Sequence, residues 1–308
     1  MPKLQAVNRM RPVAALKTQI VALDAAMLVA VSAAEKSAVH KLRTSTRRVE
    51  AQMTLLAVLS RGEKPLQLPP YSNEVDAVRK RLRRVRQAAG AVRDLDVQSD
   101  AIHADTPDGA DLHEGTPGDA MRKQAKQLRK HLEAQREHEA EHLVAILTEE
   151  EQKLAASLRT LEKALKPANA RIVAQSKLIQ DIERWFARQT HRVLQVRAKA
   201  DETPQDALRR HVEALDEDAL HTIRKAAKLC RYMAESTPET SAAHTMADRF
   251  EAMQEAGGKW HDWLLLQRLS ARFHGKRAEL TERYGKHSEA ALADYHLKLA
   301  ELLPAVTP

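Results

Sequence analysis

A chain of 308 residues carries enough material for a sizeable core and, on size alone, for two domains of about 150 residues each. Nine Gly, 3% aromatic residues and an abundance of Ala, Leu, Glu, Lys, Arg and Gln exclude a ring-packed β-sandwich and point to helices, where these side chains lose little rotamer freedom. The net charge of +8 is local, since Lys36 to Asp96 alone holds fourteen Lys/Arg against six Asp/Glu, and the single Cys230 excludes an internally stapled secreted fold.

In chain order, the apolar stretch Val13 to Ala34 comes first. Lys17, Gln19 and Asp24 interrupt it, so it reads as a core helix of a soluble, cytoplasmic protein and not as a signal or a membrane span. Apolar periodicity and breakers then predict helices near 36–60, 73–101 and 119–148, with a separate connecting helix near 149–166 that ends at Lys166-Pro167. Residues 105–119, rich in Pro, Gly and acids, read as a mobile loop. Beyond Pro167 the expected helices lie near 169–200, 205–236, 241–272 and 275–303. The reading is therefore all-α, with a four-helix unit and connecting helix in 1–166 and a second four-helix unit in 167–308.

Three of these helices carry basic faces. At about 100° per residue, His40, Arg43 and Arg47 share one side of their helix, with Arg48 at its flank, while Leu42, Val49, Met53 and Leu56 take the other. Cations one turn apart repel, so such clustering fits an anion lying across them. On the next helix Arg79, Arg83, Arg86 and Arg93 border the apolar stripe and are expected to face a groove, whereas Lys80, Arg81 and Arg84 are expected to point outward. Gly90, costly inside a helix, suggests a close helix crossing. Asp94, beside Arg93, is expected to orient a guanidinium and not to act as a catalytic acid. In the second half His221, Arg224, Lys228 and Arg231 share an arc, with Lys225 and Tyr232 at its edge, although residues 204–262 as a whole hold eight Lys/Arg against eleven Asp/Glu. Cys230 falls on the apolar side and reads as packing.

His138-Glu139-Ala140-Glu141-His142 matches the H-E-x-x-H pattern of zinc proteases, but its neighbours are charged and no third ligand is spaced to join it. No catalytic residue, metal or cofactor is assigned. Asp94 and Asp262 are each isolated in sequence, and only their convergence in space would reopen the question of a metal.

The two halves also repeat. His40-x-x-Arg43 precedes Gly90-x-x-Arg93-Asp94, with Asp94 54 positions after His40; His221-x-x-Arg224 precedes Gly258-x-x-His261-Asp262, with Asp262 41 positions after His221. Together with Arg47-Arg48, Lys225, Lys228, Arg231-Tyr232 and Gln254, these motifs resemble the conserved-histidine α-helical domain, or CHAD, family over about Val13 to Leu303. The resemblance implies two pseudo-symmetric four-helix bundles around a basic channel or groove that binds inorganic polyphosphate without turnover, possible targeting to polyphosphate granules, and a stand-alone binder without the fused triphosphate-processing domain of some members. It implies anion contacts at His40, Arg43, Arg47, Arg48, Arg93, His221, Arg224, Lys225, Lys228 and Arg231, with Arg79, Arg83, Arg86, Lys259 and His261 in support and Asp94, Asp262 and Tyr232 behind them. Glu50 departs from the family's basic row. Forked Arg donors and point-charge Lys groups suit a base-free phosphate chain, and acidification from pH 8 to 6 is expected to tighten its binding. Nonspecific RNA or DNA binding, or an adaptor for acidic protein segments, are the alternatives.

Overall fold

The computed structural model describes residues 9–61, 64–106, 118–237 and 241–305. Among them are nine α-helices and one two-stranded ribbon. Strand β1 (Arg9–Met10) leads into α1 (Pro12–Ser32), which starts at Pro12 because proline has a preset φ and no N–H to leave unpaired. By length and composition α1 could cross a membrane. Its stripe of Val13, Leu16, Ile20, Leu23, Met27 and Ala30 is instead buried against the next three helices, while Val21, Leu28 and Val29 stay exposed.

Helices α2 (Lys36–Leu59), α3 (Ser72–Asp105) and α4 (Asp119–Leu165) complete this first core. The break expected near residue 148 is absent, and α4 runs unbroken for 47 residues, about 70 Å at 1.5 Å per residue. Its stripe of Leu143, Leu147, Leu154, Leu158, Leu161 and Leu165 keeps one period with no breaker inside it. Most of the loop expected at 105–119 lies outside the described residues, but Asp105 closes α3 with its side chain only 6% exposed.

After a 3₁₀ turn (Lys166–Ala168), β2 (Val173–Ala174) pairs antiparallel with β1, setting Met10 opposite Val173. Helix α5 (Gln175–Thr190) stops ten residues short of the expected end. The expected helix at 205–236 is two, α6 (Pro204–Glu213) and α7 (Glu217–Ala234), because Asp216 accepts the Ala219 N–H at 2.8 Å and caps a new start. Helices α8 (Ala242–His274) and α9 (Glu279–Leu302) follow, so the second half holds five described helices instead of four.

Helix α2 belongs to both halves. Its Leu42, Val49, Met53 and Leu56 enter the first core, while Ala51, Leu55 and Leu59, with Met10, enter the second core beside Leu178, Ile182, Phe186, Cys230 and Phe250. A third cluster joins the far ends of the long helices: Ile102, Ala125, Leu128 and Leu132 pack with Leu266, Leu280 and Tyr284. At the same end Arg283 of α9 holds Asp105 of α3 through contacts of 2.7 and 2.9 Å. Helix α2 touches α7 directly, and beside that contact α2, α3, α7 and α8 surround an open space.

Candidate anion-binding cleft

That space is a cleft of about 1270 Å³. Helix α2 contributes His40, Arg43, Arg47 and Arg48; α3 contributes Arg86, Arg93 and Asp94. From the other side come His221, Arg224, Lys225, Lys228, Arg231 and Tyr232 of α7, and Lys259, His261 and Asp262 of α8. The basic faces of the two halves thus meet in one place, because α2 contacts α7 directly while its apolar sides turn to the two cores. The buried Gln52 fixes this register by donating from Nε2 to the Tyr232 carbonyl at 2.9 Å.

Arg79 and Arg83 do not reach the cleft. Arg83 is exposed and Arg79 lies 3.9 Å from Asp76. Arg79 stands two turns before Arg86, about 10 Å further along the axis, and Arg83 points some 60° away from Arg86. Arg81 and Arg84, expected to point outward, instead clamp Glu150 of α4, a carboxylate with 0% exposure; the Arg81 Nη1 to Glu150 Oε2 distance is 3.0 Å, and Arg84 bonds both Glu150 and Glu149. The close crossing expected at Gly90 is absent, with nothing within 4 Å of a Cβ built there. The tight approach is at Gly257, where a Cβ would come within 2.7 Å of the Tyr295 ring. Lys41, Gln98, Leu229 and Trp263 also line the cleft. Of these, Gln98 was discoverable in the sequence as the residue one turn beyond Asp94.

The cations divide into two sets. Arg43 Nη1 lies 2.9 Å from Asp94 Oδ1, so the guanidinium that Asp94 orients is that of Arg43, across the helix interface. Arg86 pairs with Glu50, the acidic departure in the basic row. At one end of the cleft Arg48 Nη2 meets Glu235 at 3.1 Å, and Arg231 reaches both Glu235 and Glu251 at 2.5 Å. Both guanidiniums lie over the Tyr232 ring, 5.7 and 5.4 Å from its centre. By contrast, Arg47, Arg93, Arg224, Lys225, Lys228 and Lys259 have no carboxylate partner among the described residues, and the buried Nε atoms of Arg43 and Arg47 have no acceptor.

Burial and mutual repulsion show in the acid–base chemistry. Burial, then Arg47, Arg43, Arg224 and Arg231, lower Lys228 to about 7. Burial and the nearby Arg43 bring Arg47 down to about 10. His261 falls to about 4 through burial, Arg224 and His221, whose ring centre is 4.9 Å away. His40 and His221 are lowered by burial and by the cations around them. Asp262 is raised by burial and by Asp94, against the pull of Arg224. The two aspartates therefore do converge, yet among the described residues no group of three or more His, Cys, Asp or Glu is placed to hold a metal ion. His138 and His142 of the zinc-protease pattern are both exposed on α4. Cys230 is buried and its thiol pushed up by that burial, as a packing residue would be.

The CHAD domain family model matches residues 14–271. Among solved structures, the CHAD domain from the plant Ricinus communis superposes with a TM-score of 0.55 at 16% identity, covering 97% of this chain and 91% of that one. PptA from Streptomyces chartreusis superposes with a TM-score of 0.54 at 11% identity, covering 96% and 97%. At these identities the likeness is one of fold. Comparison with curated proteins returns no match. With the family model spanning most of the chain, and the same fold running end to end in both solved structures, this chain belongs to the CHAD domain family.

Proposed function

We propose that the cleft binds inorganic polyphosphate without turning it over, in the cytoplasm and at polyphosphate granules. One observation carries this reading: Arg47 and Arg93 from one half and Arg224 and Lys228 from the other line a single cleft, and none of them forms an ion pair with a carboxylate among the described residues, although Asp262 lies near enough to Arg224 to offset part of its charge. Holding such charges together is unfavourable by itself, and a chain of phosphates relieves it along the whole length of the groove. Forked guanidinium donors match phosphoryl oxygens, and the lysines add point charge. Tyr232 is only 5% exposed and both Arg48 and Arg231 lie against its ring, so it is poorly placed for a nucleic-acid base to stack on it. No residue is assigned a catalytic role.

Calorimetric titration with long-chain polyphosphate, tripolyphosphate, RNA and an acidic peptide, at about 50 and about 200 mM salt, tests this. Polyphosphate is expected to bind tightest and to remain bound in excess RNA. In Arg43→Ala/Arg224→Ala, binding should be lost with helicity unchanged. Equal affinity for RNA or for the acidic peptide would overturn the assignment.

A further inference from the structure

Four lysines line the cleft, and they are not equivalent. Lys41, Lys225 and Lys259 are exposed at its rim, whereas Lys228 is partly buried in its wall. Arg224 stands one turn before it on α7 and Arg231 three residues after it; Arg43, Arg47 and His40 approach from α2. No carboxylate pairs with the Lys228 amine among the described residues. An ammonium surrounded by guanidiniums, and shielded from water, gives up its proton readily. At neutral pH an ordinary lysine is free amine to about 0.1% or less. Burial and the guanidiniums around it lower Lys228 to about 7, which favours the free amine in the unliganded protein. The same guanidiniums that discharge this amine attract small phosphate-bearing molecules, so nucleophile and electrophile are drawn to one place.

We propose that Lys228 is an acyl-acceptor site, at which a small acyl phosphate docks its phosphate against Arg47 and Arg224 and transfers its acyl group to Nζ. The Nζ lone pair attacks the carbonyl carbon and a C–N bond forms. The bond from that carbon to the phosphate oxygen breaks, inorganic phosphate leaves with the electron pair, and the proton lost by the amine passes to it. No oxidant, reductant or further reactant is needed. The unpaired guanidiniums stabilise the charge that gathers on the departing phosphate. The product is a neutral amide in the middle of the basic wall. Acylation itself needs only a cleft that attracts anions; its consequence, a weaker hold on a polyanion, rests on the function proposed above.

The test is incubation of the whole protein with acetyl phosphate at pH 7.5, with site occupancy followed by mass spectrometry. Lys228 is expected to be acetylated about tenfold faster than Lys41, Lys225 or Lys259. Inorganic phosphate should suppress the reaction at Lys228 and leave the rim lysines unaffected. An uncharged acetylating ester should show a smaller preference for Lys228 and no protection by phosphate. Equal rates at the four lysines, or a Lys228 rate indifferent to inorganic phosphate, would overturn the proposal. Polyphosphate titration of the same unmodified sample separates the two readings: normal binding with no preference for Lys228 removes the acyl-acceptor site alone, whereas preferential acetylation stands even where polyphosphate fails to bind.

Discussion

Lys228 shows most directly how a single side chain trades stability for ligand binding. Its folded-state value of about 7 lies below the ordinary lysine value, so between about pH 7 and about pH 10.4 the unfolded chain holds more protons than the folded one. Stability therefore rises with pH through that window, and below it the folded state bears the full penalty. Lys228→Met removes the penalty and should stabilise the protein near neutral pH by roughly 3 kcal/mol, a gain that fades above about pH 10. Thermal melts at pH 7 and pH 10 check this; equal shifts at both would contradict it. A bound polyanion returns the proton, so affinity in the parent protein should rise as pH falls from about 10 to about 7, with His40 and His221 extending the trend downward. The expected tightening between pH 8 and 6 follows, and in Lys228→Met its upper part should disappear.

At the scale of helices, the seam between α3 and α4 rests on a charge that periodicity cannot see. The repeat of Val75, Val78, Leu82 and Val85 placed α3's apolar stripe correctly, because burial of that stripe is what a period of 3.6 encodes. Arg81 and Arg84 lie off the stripe and read as solvated, yet Glu150, at a core position of α4, draws both inward. Glu150→Ala would strip Arg81 of its carboxylate partner and leave Arg84 with Glu149 alone, and should cost about 2–3 kcal/mol. Urea unfolding measures it; a loss below about 0.5 kcal/mol would mean that the pair is dispensable. The same limit explains the merged α4 and the split at Asp216: where one helix ends and the next begins depends on which capping contact forms.

Across the whole molecule, the sorting of cations into paired and unpaired sets predicts how salt acts. A cation that contacts a phosphate releases counterions when the ligand binds, whereas one already neutralised by carboxylates adds little. Arg47→Gln should therefore flatten the plot of log affinity against log salt by about 0.7, the increment per contact expected for a flexible single strand. Arg231→Gln, whose parent guanidinium is held by Glu235 and Glu251, should change that slope far less. Equal changes would show that the internal ion pairs open on binding.

From the sequence alone came the helical class, the basic faces on α2 and α7, the motif spacing that marks the CHAD family, and the placement of Cys230 on an apolar side. Each is a property of residues within a few turns of one another, and helical geometry relates those directly. Only the tertiary structure decided that α2 serves two cores, that Arg79 and Arg83 miss the cleft, that Asp94 reaches Arg43, and that Arg231 is held in ion pairs while Arg224, among the described residues, is not. Those outcomes depend on which helix lies opposite which, over separations of up to 187 residues, as between Arg48 and Glu235. A charge pattern along the chain carries no record of the partner that packing brings to it.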